Sequence, residues 1–453
     1  MEHSPVLVSQ LKQVVETPLE VRSVTLGVQI ADCSERNLHR MCESIYQRIT
    51  DVAGRLAPVC AEVSSSFGVP IMQRRLAVTP IEQVAHGFGP DDLVHVARTL
   101  DGAAANVHVD RISGYSIDVR RGMSNGARQF IASLPLVLSQ TTRVRAAVQV
   151  ASSDTGVNMD AVQLVAHKLR ETAEASSERG GDAAAKLSVV ANNAMEHPHL
   201  TGAVLPSGSG DLVLFVGVGA AGAIRAALER RLQEDRRATW QDLAGEIQSA
   251  AFQAIRAAEV VGRELADRLG ADFGSVDCTL APTLRPGDSV AGLLPLLGVG
   301  SLGGPGTLAA LVLLVNAVRT AAGFASCSAS AHTRVMLSVL EDPVLIAATQ
   351  EPHLTFDQLA RLAGAGVNGL DLLPIPGDTD AGTLTGILAD QMALAVLQHR
   401  PSSVRVIPVP GKKAGDRVSY GSHMGEAGIL EIPWSGQCRA FMDRTGMLPP
   451  PRS

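Results

Sequence analysis

Aromatic side chains are scarce in this sequence, with two Trp, three Tyr and nine Phe among 453 residues. Binding nucleic acid through stacked bases needs such rings beside a basic surface. The formal net charge is −6 and no basic run occurs, so nucleic acid is not an expected partner. Paired cysteines are missing too. Cys33, Cys42, Cys60, Cys278, Cys327 and Cys438 stand apart with no CxxC. That pattern suits reduced thiols in the cytoplasm rather than a disulfide framework or a structural zinc. The first residues, MEHSPVLVSQLKQVVE, lack the basic region and apolar core of a signal peptide. Between Asp288 and Arg319 no charge falls for 30 residues. Prolines and glycines from Pro295 to Gly306 interrupt this stretch, leaving about 12 apolar residues in line, too few to cross a bilayer. It reads as a loop followed by a buried helix, and no membrane partner is expected.

What remains is an aliphatic chain, 46% hydrophobic, in which short β-rich runs alternate with helical patterns. The strand candidates are 23–30, 75–79, 106–112, 146–151, 187–191, 212–218, 273–280, 322–328, 369–373 and 404–409. The clearest helix carries Ile255, Ala258, Val261, Leu265 and Leu269 on one face and stops at Gly270. Strands alternating with helices imply a largely parallel sheet. Ten strands are many for one open sheet, which favours closure. No linker marks a boundary, so one α/β domain spans 1–453, with 410–453 a peripheral extension.

The stretch SVDCTLAPTLRPGDSVAGLL (275–294) gathers two carboxylates, a thiol and three hydroxyls within 13 residues. Asp277 ends a strand, where ligands of α/β proteins bind, and burial there would fit it for general acid or base work. Its structural alternative is to cap the turn at Thr279. Cys278 is a candidate nucleophile with no base beside it, and a small buried apolar residue is its plainer role. Asp288-Ser289 suggests a helix N-cap whose backbone amides also suit an anion. Asp32-Cys33 ends an earlier strand as Asp277-Cys278 ends a later one. If both strands belong to one barrel, Asp32 faces Asp277 across its mouth.

A second feature is Gly217-x-Gly219-x-x-Gly222, placed between an apolar strand and a helix as the dinucleotide fingerprint requires. The acidic residue that should end the next strand is absent; Glu234 and Asp235 fall inside a helical pattern. Glu196, His197 and His199 of MEHPHL suggest a metal set, yet Pro198 argues for a plain loop. No metal is assigned. Gly122-Met123-Ser124-Asn125-Gly126 matches a serine elbow, but Arg120-Arg121 precede it, which favours a turn before a helix.

The segments RSVTLGVQIADC, RRLAVTPI, GVNMDAV, VDCTLAPTLRPGDSVA, GLDLLPIPGDT and VRVIP resemble, in the same order, a bacterial and archaeal family of unknown function, domain of unknown function 711. That family is related in fold to pyruvate formate-lyase. The resemblance implies a ten-stranded α/β barrel of two five-stranded parallel halves, as in glycyl-radical enzymes, and names no reaction. The radical segment itself does not match. Gly446 lies two residues after Arg444 and is followed by Met447, while Arg417–Gly421 has its last two residues in the wrong order, so no glycyl radical is expected. Asp32, Thr79, Asn158, Asp277, Pro282, Thr283, Asp288, Ser289 and Asp371 fit the family pattern. Leu205 and Pro305 replace its usual histidines, Gly219 a serine and Ala221 a proline, which implies a less polar site.

The expectation is an enzyme of lyase or isomerase type acting on a small organic metabolite inside the barrel. Asp277 would act as general acid or base with Asp32 opposite. Asn158, Thr283, Cys278, Asp288, Ser289 and the Gly217–Gly222 loop would bind substrate. A non-catalytic metabolite sensor is the alternative, and a nucleotide-dependent oxidoreductase using NAD(P) or flavin is the third reading. No cofactor is assigned, and a homodimer is compatible with the Ala/Leu-rich helices.

Overall fold

The computed structural model describes residues 20–205, 208–325, 333–351, 354–365, 368–421, 424–433 and 439–451. Apolar runs that are buried on both faces need parallel pairing with crossover helices outside, and the first half of the chain follows that rule. Strands β1 (Glu20–Val28), β2 (Arg74–Val78), β3 (Arg111–Asp118), β4 (Val144–Ser152) and β6 (Leu187–Ala191) lie side by side in that order, all parallel. They are joined by helices α1 (Leu38–Ala53), α2 (Leu56–Phe67), α3 (Pro90–Asn106), α4 (Asn125–Gln140) and α5 (Met159–Glu174). On the other side of β1, strand β7 (Leu212–Gly219) runs antiparallel to it, and β8 (Asp272–Asp277) runs parallel to β7. Helices α6 (Ala221–Glu234) and α7 (Trp240–Leu269) connect these two. The short β5 (Gly156–Asn158) joins β4, and the C-terminal β12 (Met447–Leu448) joins β5. With β10 (Ser402–Val404) antiparallel to β6, this sheet has ten strands.

The pairing continues beyond β8. Leu280 bridges Val335, Ser338 bridges Asp371, and β9 (Leu373–Pro376) pairs in parallel with β11 (Val406–Val409). Only Arg405 separates β11 from β10, so the path of hydrogen bonds returns to β6 and closes into a ring. Five strands run one way around the ring, and the remaining pairs run the other.

Side chains alternate across the strands. Val144, Ala146, Val148 and Val150 of β4 face the outer helices and belong to the main core. Ala147 on the opposite face joins a small second core with Val190, Ala194, Met195 and Val204. The interior is therefore packed with chain. That chain is the connection between β6 and β7, residues 192–205. Thr25 Oγ1 donates to the Pro198 carbonyl (3.2 Å), Ser116 Oγ donates to Gly202 O (2.6 Å), and Leu205 N donates to Val78 O (3.0 Å). Gly202 has φ +78, and a Cβ there would sit 2.3 Å from the Ala146 carbonyl carbon. Only glycine permits that approach.

The expected strands at 187–191, 212–218 and 146–151 appear almost unchanged. Three do not: the strand foreseen at 369–373 lies at Leu373–Pro376, and two others fail more fully. The strand foreseen at 106–112 lies at Arg111–Asp118, because α3 runs on to Asn106. Residues 322–325 of the strand foreseen at 322–328 belong to helix α8 (Thr307–Ala325), and 326–328, with Cys327, lie outside the described residues. At 19 residues α8 is long and apolar enough to cross a membrane by length and composition, contrary to the count of about 12. Half of its most apolar window is buried in this fold, as expected for the helix after a loop. The C-terminal segment does more than lie on the outside, since β12 extends the sheet and Ala427 and Ile429 are buried.

Candidate functional site

Basic residues stand at or just before the starts of five adjacent strands. They are Arg22 on β1, Arg75 on β2, Arg111 on β3, Arg145 on β4 and Lys186 immediately before β6. Parallel pairing brings these starts to one end of the ring, with Arg75 directly opposite Arg111 and Arg145 opposite Ser113. The second set runs the other way, so its strands finish at this end. Their contributions are Asp277 at the close of β8, Thr283 and Asp288 just after it, and Glu341 after Ser338. Antiparallel halves thus place a basic arc opposite an acidic one.

Three connected spaces lie between the arcs. An inner chamber of about 50 Å³ is lined by Asp277, His199, Ser23, Arg75, Arg334 and Gly217, among others. A middle space of about 80 Å³ shares Arg22, Arg75 and His199 with it. An outer chamber of about 460 Å³ shares Arg111, Glu341 and Arg405 with the middle one.

In the inner chamber Asp277 is 5% exposed and accepts a 2.6 Å hydrogen bond from Thr279 Oγ1. Burial raises its pKa, against the opposing pull of Thr279, Arg334 and Arg75. His199 comes from the threaded connection. Its Nδ1 lies 2.9 Å from Ser23 Oγ, and its carbonyl accepts from Arg75 Nη1 at 2.7 Å. Burial, aided by Arg75, lowers the imidazole pKa to about 3, so the ring is neutral. Arg334 Nη2 is buried without a hydrogen-bond partner among the described residues, and His199 Nε2 has none in good geometry, with the Val216 carbonyl near enough only to act weakly on the ring. Both line the chamber that holds Asp277. Buried polar atoms are nearly always satisfied, so two such atoms facing one small space point to an occupant, water or ligand. Gly217 makes this grouping feasible, since a Cβ would come within 2.7 Å of Ser23 Oγ and 2.9 Å of His199 Nδ1.

A family model described as Uncharacterised ACR (DUF711) matches residues 12–423. The chain belongs to that family. The UPF0210 protein of Desulfovibrio desulfuricans is 39% identical over 450 residues, covering 98% of this chain and 97% of its own. The UPF0210 protein of Desulforudis audaxviator is 39% identical over 447 residues, covering 99% and 98%. That of Methanosarcina barkeri is 37% identical over 433 residues, covering 96% and 94%. Among solved structures, the anaerobic ribonucleotide reductase from Thermotoga maritima, with citrate in its active site, is similar with a TM-score of 0.36 and 8% identity, over 76% of this chain and 67% of that one.

The expected site residues of this DUF711 chain divide. Asp277 lies in the chamber, and so does Gly217. Asp32 does not. It is exposed in the turn after β1, and β1 runs opposite to β8. Asp277 is level with Gly217 and Ser23, whereas β1 continues five residues further to Val28. That is about 17 Å of strand, with Asp32 beyond it at the other end of the ring. Asn158 is also elsewhere: it caps α5 by accepting from Ala161 N (3.2 Å), while Nδ2 donates to Val119 O (2.6 Å). Cys278 is fully buried with its thiol pKa pushed up by burial and by Asp277, which corrects the nucleophile reading. Thr283 lines the middle space and donates to Asp288, which pairs with Arg22 Nη2 at 2.6 Å. Ser289 is the cap of the two, accepting from Gly292 N (2.8 Å) and donating to Asp342 Oδ1 (2.6 Å).

The glycine loop is no dinucleotide cradle. Gly217 and Gly219 belong to β7, and a Cβ on Gly219 would meet Arg22 Nη2 at 2.9 Å. Gly222 lies in the first turn of α6, and a second helix follows α6 before any strand does, so no acid ends a next strand nearby. Ser124 caps α4 through Ala127 N (3.0 Å). Glu196 is exposed whereas His197 is buried, and among the described residues no three His, Cys, Asp or Glu groups could hold a metal ion. Gly446 sits against β5 and α5, its N–H bonded to Asp160 Oδ1 (2.9 Å), at the end of the ring remote from Asp277. Sequence reading missed the arginines and singled out His199 only as a doubtful metal ligand. The signal was a basic residue at the beginning of one strand after another: VRSVTL, RRLAV, RISGY, VRAAV, AKLSV.

Proposed function

We propose that this protein is an enzyme that moves a proton on a small anionic metabolite held inside the ring, chemistry of lyase or isomerase type. We read the ring as the barrel of two five-stranded parallel halves that the resemblance to the pyruvate formate-lyase fold implies. The observation that carries the functional reading is the inner chamber. A buried carboxyl with a raised pKa lies beside a neutral imidazole and an arginine, each offering a nitrogen without a well-placed partner. Asp277 would serve as general acid or base. Arg334 and Arg75 would stabilise negative charge developing on a carbonyl or carboxylate oxygen, and His199 Nε2 would hydrogen-bond to it.

Screening small carboxylates and phosphorylated acids by thermal shift tests the binding half of the proposal. Ligands that bind would then be incubated in D2O and followed by NMR for deuterium entering at carbon. Wild type should exchange the proton, and Asp277→Asn should bind yet not exchange. Exchange undiminished in Asp277→Asn would sink the assignment. A second reading, a binding or regulatory protein, is favoured by the small volume of the inner chamber; it predicts binding without exchange in either protein.

A further inference from the structure

We propose that the outer chamber binds a phosphate group, so that the metabolite acted on at Asp277 is a phosphorylated one. This inference rests on the acid–base reading above for its link to catalysis, but the phosphate site itself stands on separate residues. Arg111, Arg145, Arg179, Lys186 and Arg405 line the chamber, against Asp182 and Glu341. Two of these cations are already matched. Arg405 grips Asp371 through Nε (2.6 Å) and Nη2 (2.8 Å), and Arg179 Nε reaches Asp182 at 3.0 Å. Among the lining residues that leaves Arg111, Arg145 and Lys186 against Glu341, a surplus of two positive charges at the wall, with Asp101 and Asp110 acting from behind it.

Their nitrogens are also underused. The Arg111 guanidinium makes no hydrogen bond or ion pair among the described residues, although Arg111 lines both the outer and the middle space. Arg145 spends only Nη1, on the Thr142 and Val144 carbonyls at 2.9 and 3.0 Å. Lys186 donates to the Leu138 and Thr141 carbonyls. Lys186 is buried while Arg111 and Arg145 are half-buried, and like charges crowded along one partly dry wall are costly unless something answers them. Burial depresses the pKa of all three, helped at Arg111 by Arg405, at Arg145 by Arg111 and Arg405, and at Lys186 by Arg145. A dianion with three oxygens matches the surplus charge and the planar forks of two arginines better than a single carboxylate does. About 460 Å³ accommodates a phosphate and part of its ester. The chamber opens to solvent beside Arg179, which is half-exposed, and on its inner side it shares Arg111, Glu341 and Arg405 with the middle space, so a small phosphate ester could enter and extend inward.

The test is binding of inorganic phosphate to the full-length protein at fixed ionic strength, by calorimetry and thermal unfolding. Saturable binding is expected in wild type and in Asp277→Asn, and at least tenfold weaker binding in Arg111→Gln and Arg145→Gln. Arg111→Gln should unfold no lower than wild type without phosphate, which guards against a folding defect. Phosphate acting no better than matched chloride, or binding equally to both arginine variants, would overturn the inference. 2-Phosphoglycolate distinguishes the source of the phosphate. Tenfold tighter binding than phosphate, lost in Arg75→Gln, assigns the site to an ester reaching inward; equal affinity assigns it to free phosphate. If phosphate binds but Asp277→Asn still exchanges protons, only the acid–base reading fails. If Asp277→Asn loses exchange while no form binds phosphate, only this inference fails.

Discussion

Burial opposes charge on both Asp277 and His199, with opposite consequences for stability against pH. His199 titrates near 6.5 when unfolded and near 3 when folded. The unfolded chain therefore takes up the proton first as pH falls, and the stability due to this group is lost between about 6.5 and 3. His199→Gln should flatten that part of the acid limb in urea melts at stepped pH. Asp277 behaves the other way. Its folded pKa is raised, so the native state holds the extra proton above pH 3.8 and stability falls as pH climbs through that window. Asp277→Asn should accordingly be no less stable than wild type at pH 7, even as it loses proton exchange. Cys278, fully buried, should tolerate Ala with exchange intact and a stability loss of roughly 1–2 kcal/mol.

Among the elements, the connection from 192 to 205 is the one on which the site depends. It carries His199 into the ring and is pinned there by side chains of β1, β2 and β3. Gly202→Ala forces a side chain into the Ala146 backbone at a positive φ. A loss of roughly 2–4 kcal/mol in chemical denaturation is expected, together with weaker ligand binding. Pattern reading saw in MEHPHL only a doubtful metal set, because the segment has turn chemistry and no period, and only the ring around it makes its histidine a site residue. Strands with unbroken aliphatic runs were legible. Strand β3 was not, since Gly114, at φ +123 beside an irregularity in register, and two serines dilute its alternation, while VHVD just before it imitates a strand. Residues 322–325 failed for the converse reason, since Ala322, Gly323 and Ala325 carry no strand alternation and simply continue the helix from Thr307, leaving Phe324 exposed.

For the whole molecule, the closing contact is the buried pair of Arg405 and Asp371, on two segments of the second half. Asp371→Asn leaves Arg405 unanswered in the interior and should cost roughly 3–5 kcal/mol, read as a lowered urea midpoint with unchanged slope. The acidic arc was legible because Asp277, Thr283 and Asp288 follow one another in sequence. The basic arc was not, because its five members are spread over 165 residues from Arg22 to Lys186 and only parallel pairing assembles them. Asp32 misled for a related reason, since two like dipeptides at strand ends reveal nothing about which way the strands run. The same closure sets a timetable for synthesis. Strand β6 leaves the ribosome with one edge bare, and the chain that covers it, Ser402–Val404, follows about 210 residues later. At 5–20 residues per second that is roughly 10–40 s of exposed strand edge, so the nascent first half should be the species that chaperones hold and that aggregates when they are depleted.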